Sequence, residues 1–142
     1  MKLFQIEEPD GAPVDRDAPG AAVGIDLAGA MARVAIAVGG NAELLPDADG
    51  NRALKTAGAA LPDVLLDLRA RAEKQLARPV THAVIAADED RDSVMRAAAS
   101  AGLEILRLLP RREAAEVGGM AASDHAAVFG AAIIAEDLAP HE

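Results

Sequence analysis

A chain of 142 residues has the size of one domain and is long enough to bury a core. It is 51% hydrophobic but only 1% aromatic, so that core must come from Ala, Val, Leu and Ile, each burying less area than an aromatic ring. The formal charge of −9 repels nucleic-acid phosphates, and the lack of cysteine excludes disulfides, thiolate zinc sites and a cysteine nucleophile.

The chain opens on Met1-Lys2-Leu3-Phe4-Gln5-Ile6, and Glu7, Glu8 and Pro9 interrupt it before a secretory apolar core can form. No apolar run approaches the ~20 residues of a membrane span. These features predict a soluble, cytoplasmic protein. Residues 7–20 hold three prolines, two glycines and several acids without periodicity, the composition of a flexible leader. The expected organisation is a leader over residues 1–20 and one domain over residues 21–142.

Ala21-Ala22-Val23-Gly24-Ile25-Asp26-Leu27 reads as a buried strand with one carboxylate near its end. Ala28-Gly29-Ala30 is a small-residue turn, and residues 32–38 return as a second strand. Gly39-Gly40-Asn41 is a hairpin turn into a short strand at residues 42–45. Residues 46–51 carry turn chemistry, and the stretch to Ala60 has weak signals. From Leu61 the period becomes helical: Leu61, Leu65, Leu68, Ala72 and Leu76 share one stripe, with Asp67, Arg69, Arg71, Glu73 and Lys74 off it. Pro79 stops that helix, and residues 81–87 form an apolar run of strand length. Asp88-Glu89-Asp90 supplies acids at the start of a helix over residues 91–101, which Gly102 ends. A strand follows over residues 103–109, and a last helix begins near Ser123 with Ala127, Ala131, Ile134 and Leu138 on its apolar face. This succession predicts an α/β domain with a five-stranded mixed sheet, its strands ordered 3-2-1-4-5 in chain numbering.

That order is similar to the ribonuclease-H-like half-domain of sugar kinases, actin and chaperone ATPases. Val23-Gly24-Ile25-Asp26-Leu27 resembles the first strand of the DnaK/HscA-type heat-shock chaperone family, where it runs into the first phosphate loop. Residues 45–52, Pro79-Val80-Thr81-His82-Ala83-Val84-Ile85 and residues 101–108 resemble later segments of the same family in the same order. Leu3-Phe4-Gln5-Ile6-Glu7-Glu8-Pro9 is similar to the start of HscA, the member specialised for iron–sulfur cluster assembly. Residues 123–133 resemble the last helix of the family's ATPase domain, which crosses back from the second lobe. Here only a short connection separates them from Leu109. The resemblance therefore implies an ATPase domain reduced to about its first lobe, without the insertion expected after Arg52 and without a peptide-binding domain.

An intact member binds ATP and Mg²⁺, and the resemblance carries its first phosphate loop onto Asp26, Ala28 and Gly29. A phosphate loop needs exposed backbone N–H groups and hydroxyls that hold phosphate and metal water. The family's Gly-Thr-Thr turn is here Ala28-Gly29-Ala30, so both hydroxyls are gone. Asp26 falls on the family's metal-associated carboxylate; alone it makes a weak, monodentate magnesium site. The ordinary structural reading is that Asp26 caps a turn or meets a backbone N–H. The family's catalytic lysine lies in the missing insertion, and its carboxylate before a Pro-Thr-Ala-Ala segment falls at Arg111, reversing the charge. No residue is therefore assigned a catalytic role.

His82, His125 and His141 lack the spacing that ligates metal on a helix. His82 reads as a structural histidine and His125 as a cap neighbour, while Ser93 and Ser123 read as helix-start caps. Arg107, Arg111 and Arg112 form the densest basic cluster, read as a solvated loop with an acidic partner or anion as the alternative. Gly118-Gly119 reads as a hinge before the closing helix. The functional expectation is a non-catalytic interaction or regulatory module linked to chaperone action or iron–sulfur assembly. Its expected partner is a chaperone or J-type co-chaperone, with self-association through exposed apolar area. The alternative is a nucleotide-binding half-domain active only by complementation with another chain.

Overall fold

The computed structural model describes residues 20–28, 31–46, 53–56, 59–119 and 125–139. Residues 1–19 of the expected leader, the turn residues Gly29 and Ala30, Ser123 and His141 lie outside them. The described elements are β1 (Ala21–Ala28), β2 (Met31–Val38), β3 (Asn41–Leu44), β4 (Leu54–Lys55), α1 (Leu61–Leu76), β5 (Val80–Ala87), α2 (Arg91–Ser100), β6 (Glu104–Leu109), α3 (Arg111–Gly118) and α4 (Ala126–Leu138).

The sheet runs β3-β2-β1-β5-β6, with two-residue β4 paired to β2 outside that path. The five main strands thus take the order expected from the sequence. β1 pairs antiparallel with β2 and parallel with β5, so the sheet is mixed. Being central, β1 is buried on both faces, which is why its run, Asp26 apart, reads as continuously apolar rather than alternating. Gly39 and Gly40 both hold positive φ (61° and 83°), the left-handed pair that a two-residue hairpin turn requires. The Glu136 carboxylate of α4 grips that turn, accepting from the amides of Gly39 (2.5 Å) and Gly40 (2.9 Å).

Odd-numbered β1 residues Val23, Ile25 and Leu27 face Val64, Leu65, Leu68 and Val94 of α1 and α2. On the opposite face, α4 lies across the sheet. Its Val128 and Ala132 pack on Ala35 and Ala37, while Ala127, Ala131, Ile134 and Ala135 join Val84, Ala86 and Leu109. The poverty in aromatics is met by close approach. A Cβ on Gly24 would lie 2.1 Å from the Ala132 nitrogen, and one on Gly130 would overlap the Ala114 carbonyl oxygen. Glycine at these two positions lets α4 press its backbone onto β1 and onto α3.

Four expectations are corrected. Arg111 and Arg112 do not sit in a loop: they open the eight-residue helix α3, of which only Ala114 is buried. Gly119 is the left-handed C-cap of α3 (φ 66°) rather than a hinge. Arg71 and Glu73, placed off the apolar stripe of α1, are buried. Leu138, assigned to the apolar face of α4, is exposed.

Candidate functional site

Because side chains alternate along a strand, Asp26 points to the same face as Gly24, toward the α3–α4 layer. It is 0% exposed. A carboxylate cannot be stripped of water in an apolar sheet without a partner. The partner is Arg111, the first residue of α3, whose Nε donates to Asp26 Oδ1 at 2.6 Å and whose Nη2 donates to Oδ2 at 3.2 Å. The two planar groups meet edge to edge, the strongest geometry for such a pair. The Arg111 side chain is one-third exposed, so the pair reaches from the buried carboxylate to the surface.

Asp88, just beyond the end of β5, accepts the Arg111 backbone N–H at 3.2 Å. The start of α3 is thereby tied to β1 by its side chain and to the end of β5 by its main chain. Of the three acids at residues 88–90, only Asp90 caps α2: its Oδ2 accepts from both the amide and the hydroxyl of Ser93, each at 3.0 Å. Ser93 is the capped residue, not the cap.

Of the phosphate-loop residues carried over by resemblance, Ala28 is the last residue of β1, paired with Met31, and half-buried. Gly29 lies outside the described residues. Asp26 neither caps a turn nor meets a backbone N–H in the bonds above; its two oxygens face one guanidinium. Magnesium takes oxygen ligands from carboxylates and phosphates. Where a second carboxylate would serve such an ion, Arg111 presents N–H donors instead, so this donor set does not suit the metal. Among the described residues, no group of three or more His, Asp or Glu side chains could hold one.

The remaining candidates are structural. His82 Nδ1 lies 2.7 Å from the Thr81 hydroxyl, and Nε2 lies 3.8 Å from a Glu104 carboxylate oxygen across the β5–β6 pairing. His125 occupies the N-cap position of α4 without a side-chain capping bond, and its ring meets that of Phe129 edge-on at 5.8 Å. Arg107 pairs with Glu113 at 3.7 Å, both side chains half exposed. Sequence reasoning missed a polar network behind α1. Arg69 donates to the carbonyls of Val80 (2.9 Å) and Ala101 (2.8 Å), and Glu73 accepts the Val80 amide at 2.9 Å. Gly102 is accounted for by its own positive φ (76°), which lets the chain turn at the end of α2, and gave no signal of this network.

A family model described as Hsp70 protein matches residues 56–137, more than half of the chain. The matched span contains Arg111 and begins after β1, so Asp26 lies outside it. No curated protein matches the chain.

Proposed function

Since the chain belongs to the Hsp70 family, we propose that it is a non-catalytic member: an actin-like ATPase lobe that works by binding another protein rather than by turning over nucleotide. The observation that carries this reading is the Asp26–Arg111 pair. By resemblance, Asp26 is the carboxylate that an intact member sets beside its metal. Here a fixed internal cation holds both of its oxygens. Phosphoryl transfer rests on positioning and on charge stabilisation by a metal and its clamps. The guanidinium beside Asp26, and the short span of residues 110–125 between β6 and α4 where the resemblance would set a second lobe, support a chain that lacks those elements.

A protein partner follows from the same reasoning. The carboxyl ends of the parallel strands, which the resemblance places against nucleotide and the second lobe, face outward. Two pockets open there, one lined by Leu27, Met31, Leu61 and Val64 with Thr56, the other by Ala87, Leu108, Leu109 and Pro110 with Asp88 and Arg91. Glu89 contributes to both. The proposed partners are a family chaperone or its J-type co-chaperone. A link to iron–sulfur assembly rests on the leader segment, residues 3–9, alone.

The test is isothermal titration of ATP and ADP with Mg²⁺ into the purified chain and into Asp26→Asn, alongside binding assays against a family chaperone and a J-type protein. The proposal expects no nucleotide heat at millimolar concentration and saturable binding to one of the two proteins. Nucleotide binding that the chain shows and Asp26→Asn loses would overturn it.

A further inference from the structure

Strand β3 lies at one edge of the sheet and pairs on one side only. The Leu45 amide donates to the Val34 carbonyl at 2.9 Å, which continues the β2–β3 register by one step. Antiparallel partners alternate between bonded and non-bonded pairs. Asn41 and Glu43 are therefore bonded to β2, while Ala42 and Leu44 turn their amides and carbonyls away from the sheet. Among the described residues, no backbone group meets them there. The side chains of Ala42 and Leu44 face α4, where they, Phe129 and Ile133 are only partly covered. A pocket of about 340 Å³ opens between strand and helix, lined by Ala42, Glu43, Leu44, Pro46, His125 and Phe129. A free sheet edge beside an apolar pocket suits an extended segment, which adds as a strand and sets alternate side chains into the pocket.

We propose that the occupant is Leu3-Phe4-Gln5-Ile6 of this same chain, added to β3 as an antiparallel strand. Phe4 and Ile6 alternate with Gln5, so both face α4 when they stand opposite Leu44 and Ala42. Phe4 then enters the pocket against Phe129, bringing together the two phenylalanines of a chain without Trp or Tyr. Ile6 lies nearer the Gly39-Gly40 turn, on the side of Ile133. Connectivity sets the direction. The β1–β2 register, carried to its end, places Ala21 opposite Val38, so β1 starts at the end of the sheet where β2 turns into β3. A strand antiparallel to β3 finishes at that same end. Residues 7–19 have then to cross three strand spacings, about 14 Å, well within the roughly 40 Å that such a length of chain can reach. A second copy suits the edge less well. The register that satisfies every free group of Ala42 and Leu44 sets Glu43 directly against Glu43 of the other copy, between chains that each carry a formal charge of −9. The proposed segment brings uncharged Gln5 to that position instead. So docked, it covers an edge that would otherwise be open to pairing with other chains.

The experiment is amide hydrogen exchange by NMR on the full chain and on Phe4→Ser, which alters no residue of the described domain. The amides of Ala42 and Leu44 should be protected in the parent and should exchange about tenfold faster or more in the variant. Those of Asn41 and Glu43, bonded to β2, should keep their rates. A nuclear Overhauser effect between the rings of Phe4 and Phe129 gives the second readout. In a mixture of isotope-labelled and unlabelled chain it should arise within one molecule. Three results would overturn the proposal: free exchange at Ala42 and Leu44 in the parent, protection there that Phe4→Ser leaves intact, or a Phe4–Phe129 contact found only between molecules. The last would make the occupant the same segment of a second copy.

Discussion

Replacing Arg111 with methionine keeps the aliphatic stem and removes the only group bonded to the Asp26 oxygens in the distances above. The carboxylate is 0% exposed, so water cannot take over without opening the α3–α4 layer. Breaking a buried pair by deleting one partner costs about 3–5 kcal/mol, because the other charge is left stranded. The exposed third of Arg111 argues for the lower end, about 3 kcal/mol. For a domain of this length that lowers Tm by on the order of 10 °C. Asp26→Asn should cost less, about 1–2 kcal/mol, since the freed guanidinium can turn to solvent. In the double variant no charge is stranded, so its cost should fall short of the sum of the singles by about 2 kcal/mol or more. Urea unfolding of the four proteins measures the cycle, with unchanged slopes showing that only stability has moved. If Arg111→Met costs less than about 1 kcal/mol, or the two singles add within about 0.5 kcal/mol, Arg111 is not the counter-charge and the reasoning fails.

Other perturbations probe how the site is held. Gly130→Ala places a methyl onto the Ala114 carbonyl and must drive α3 off α4; a loss of about 3 kcal/mol or more in urea unfolding is expected, and a neutral result would refute the close helix approach. Arg69→Met orphans the carbonyls of Val80 and Ala101, at a cost of about 2–4 kcal/mol by the same assay. Glu136→Ala frees the Gly39 and Gly40 amides; because the turn is exposed it should cost only about 1 kcal/mol, yet hydrogen exchange at those two amides should accelerate while β1 stays protected.

Strands β1, β2, β5 and β6 were legible as largely apolar runs bounded by glycine, proline or acids, and the β2–β3 hairpin because Gly39-Gly40 suits a primed turn; two-residue β4 was missed, being too short to carry a pattern. Helix α3 was not legible either, since its residues Arg111–Gly118 bury only Ala114 and so carry no apolar stripe. What fixes it is contact with α4, together with Gly119 at its end. The burial of Glu73 was hidden for a related reason. Helical periodicity assigns it to a flank, but the amide of Val80 lies there and needs an acceptor. Periodicity reports the face a helix presents to the core. It says nothing of backbone groups that a neighbouring element brings to the flank.

The Asp26–Arg111 pair shows the same limit at the site itself. Read along the chain, Asp26 is a turn cap or backbone partner, or by resemblance a metal-site carboxylate without its hydroxyl neighbours, and Arg111 a reversed charge in a basic cluster. The two stand 85 residues apart, and no local pattern joins them. Physically, though, neither is tolerable alone. Asp26 in the middle of an apolar sheet without a cation is a buried naked charge. Arg111 at the start of α3 sits at the positive end of a helix dipole, a poor place for a guanidinium without a nearby acid. Joined, they remove both penalties and need no metal to do so. A lobe of this kind can either keep its carboxylate open for a cation, and depend on that cation for local stability, or supply the cation from its own chain and fold without it. The 2.6 Å contact belongs to the second case. The contact that makes Asp26 tolerable in the core is thus also the one on which the proposed loss of nucleotide chemistry rests.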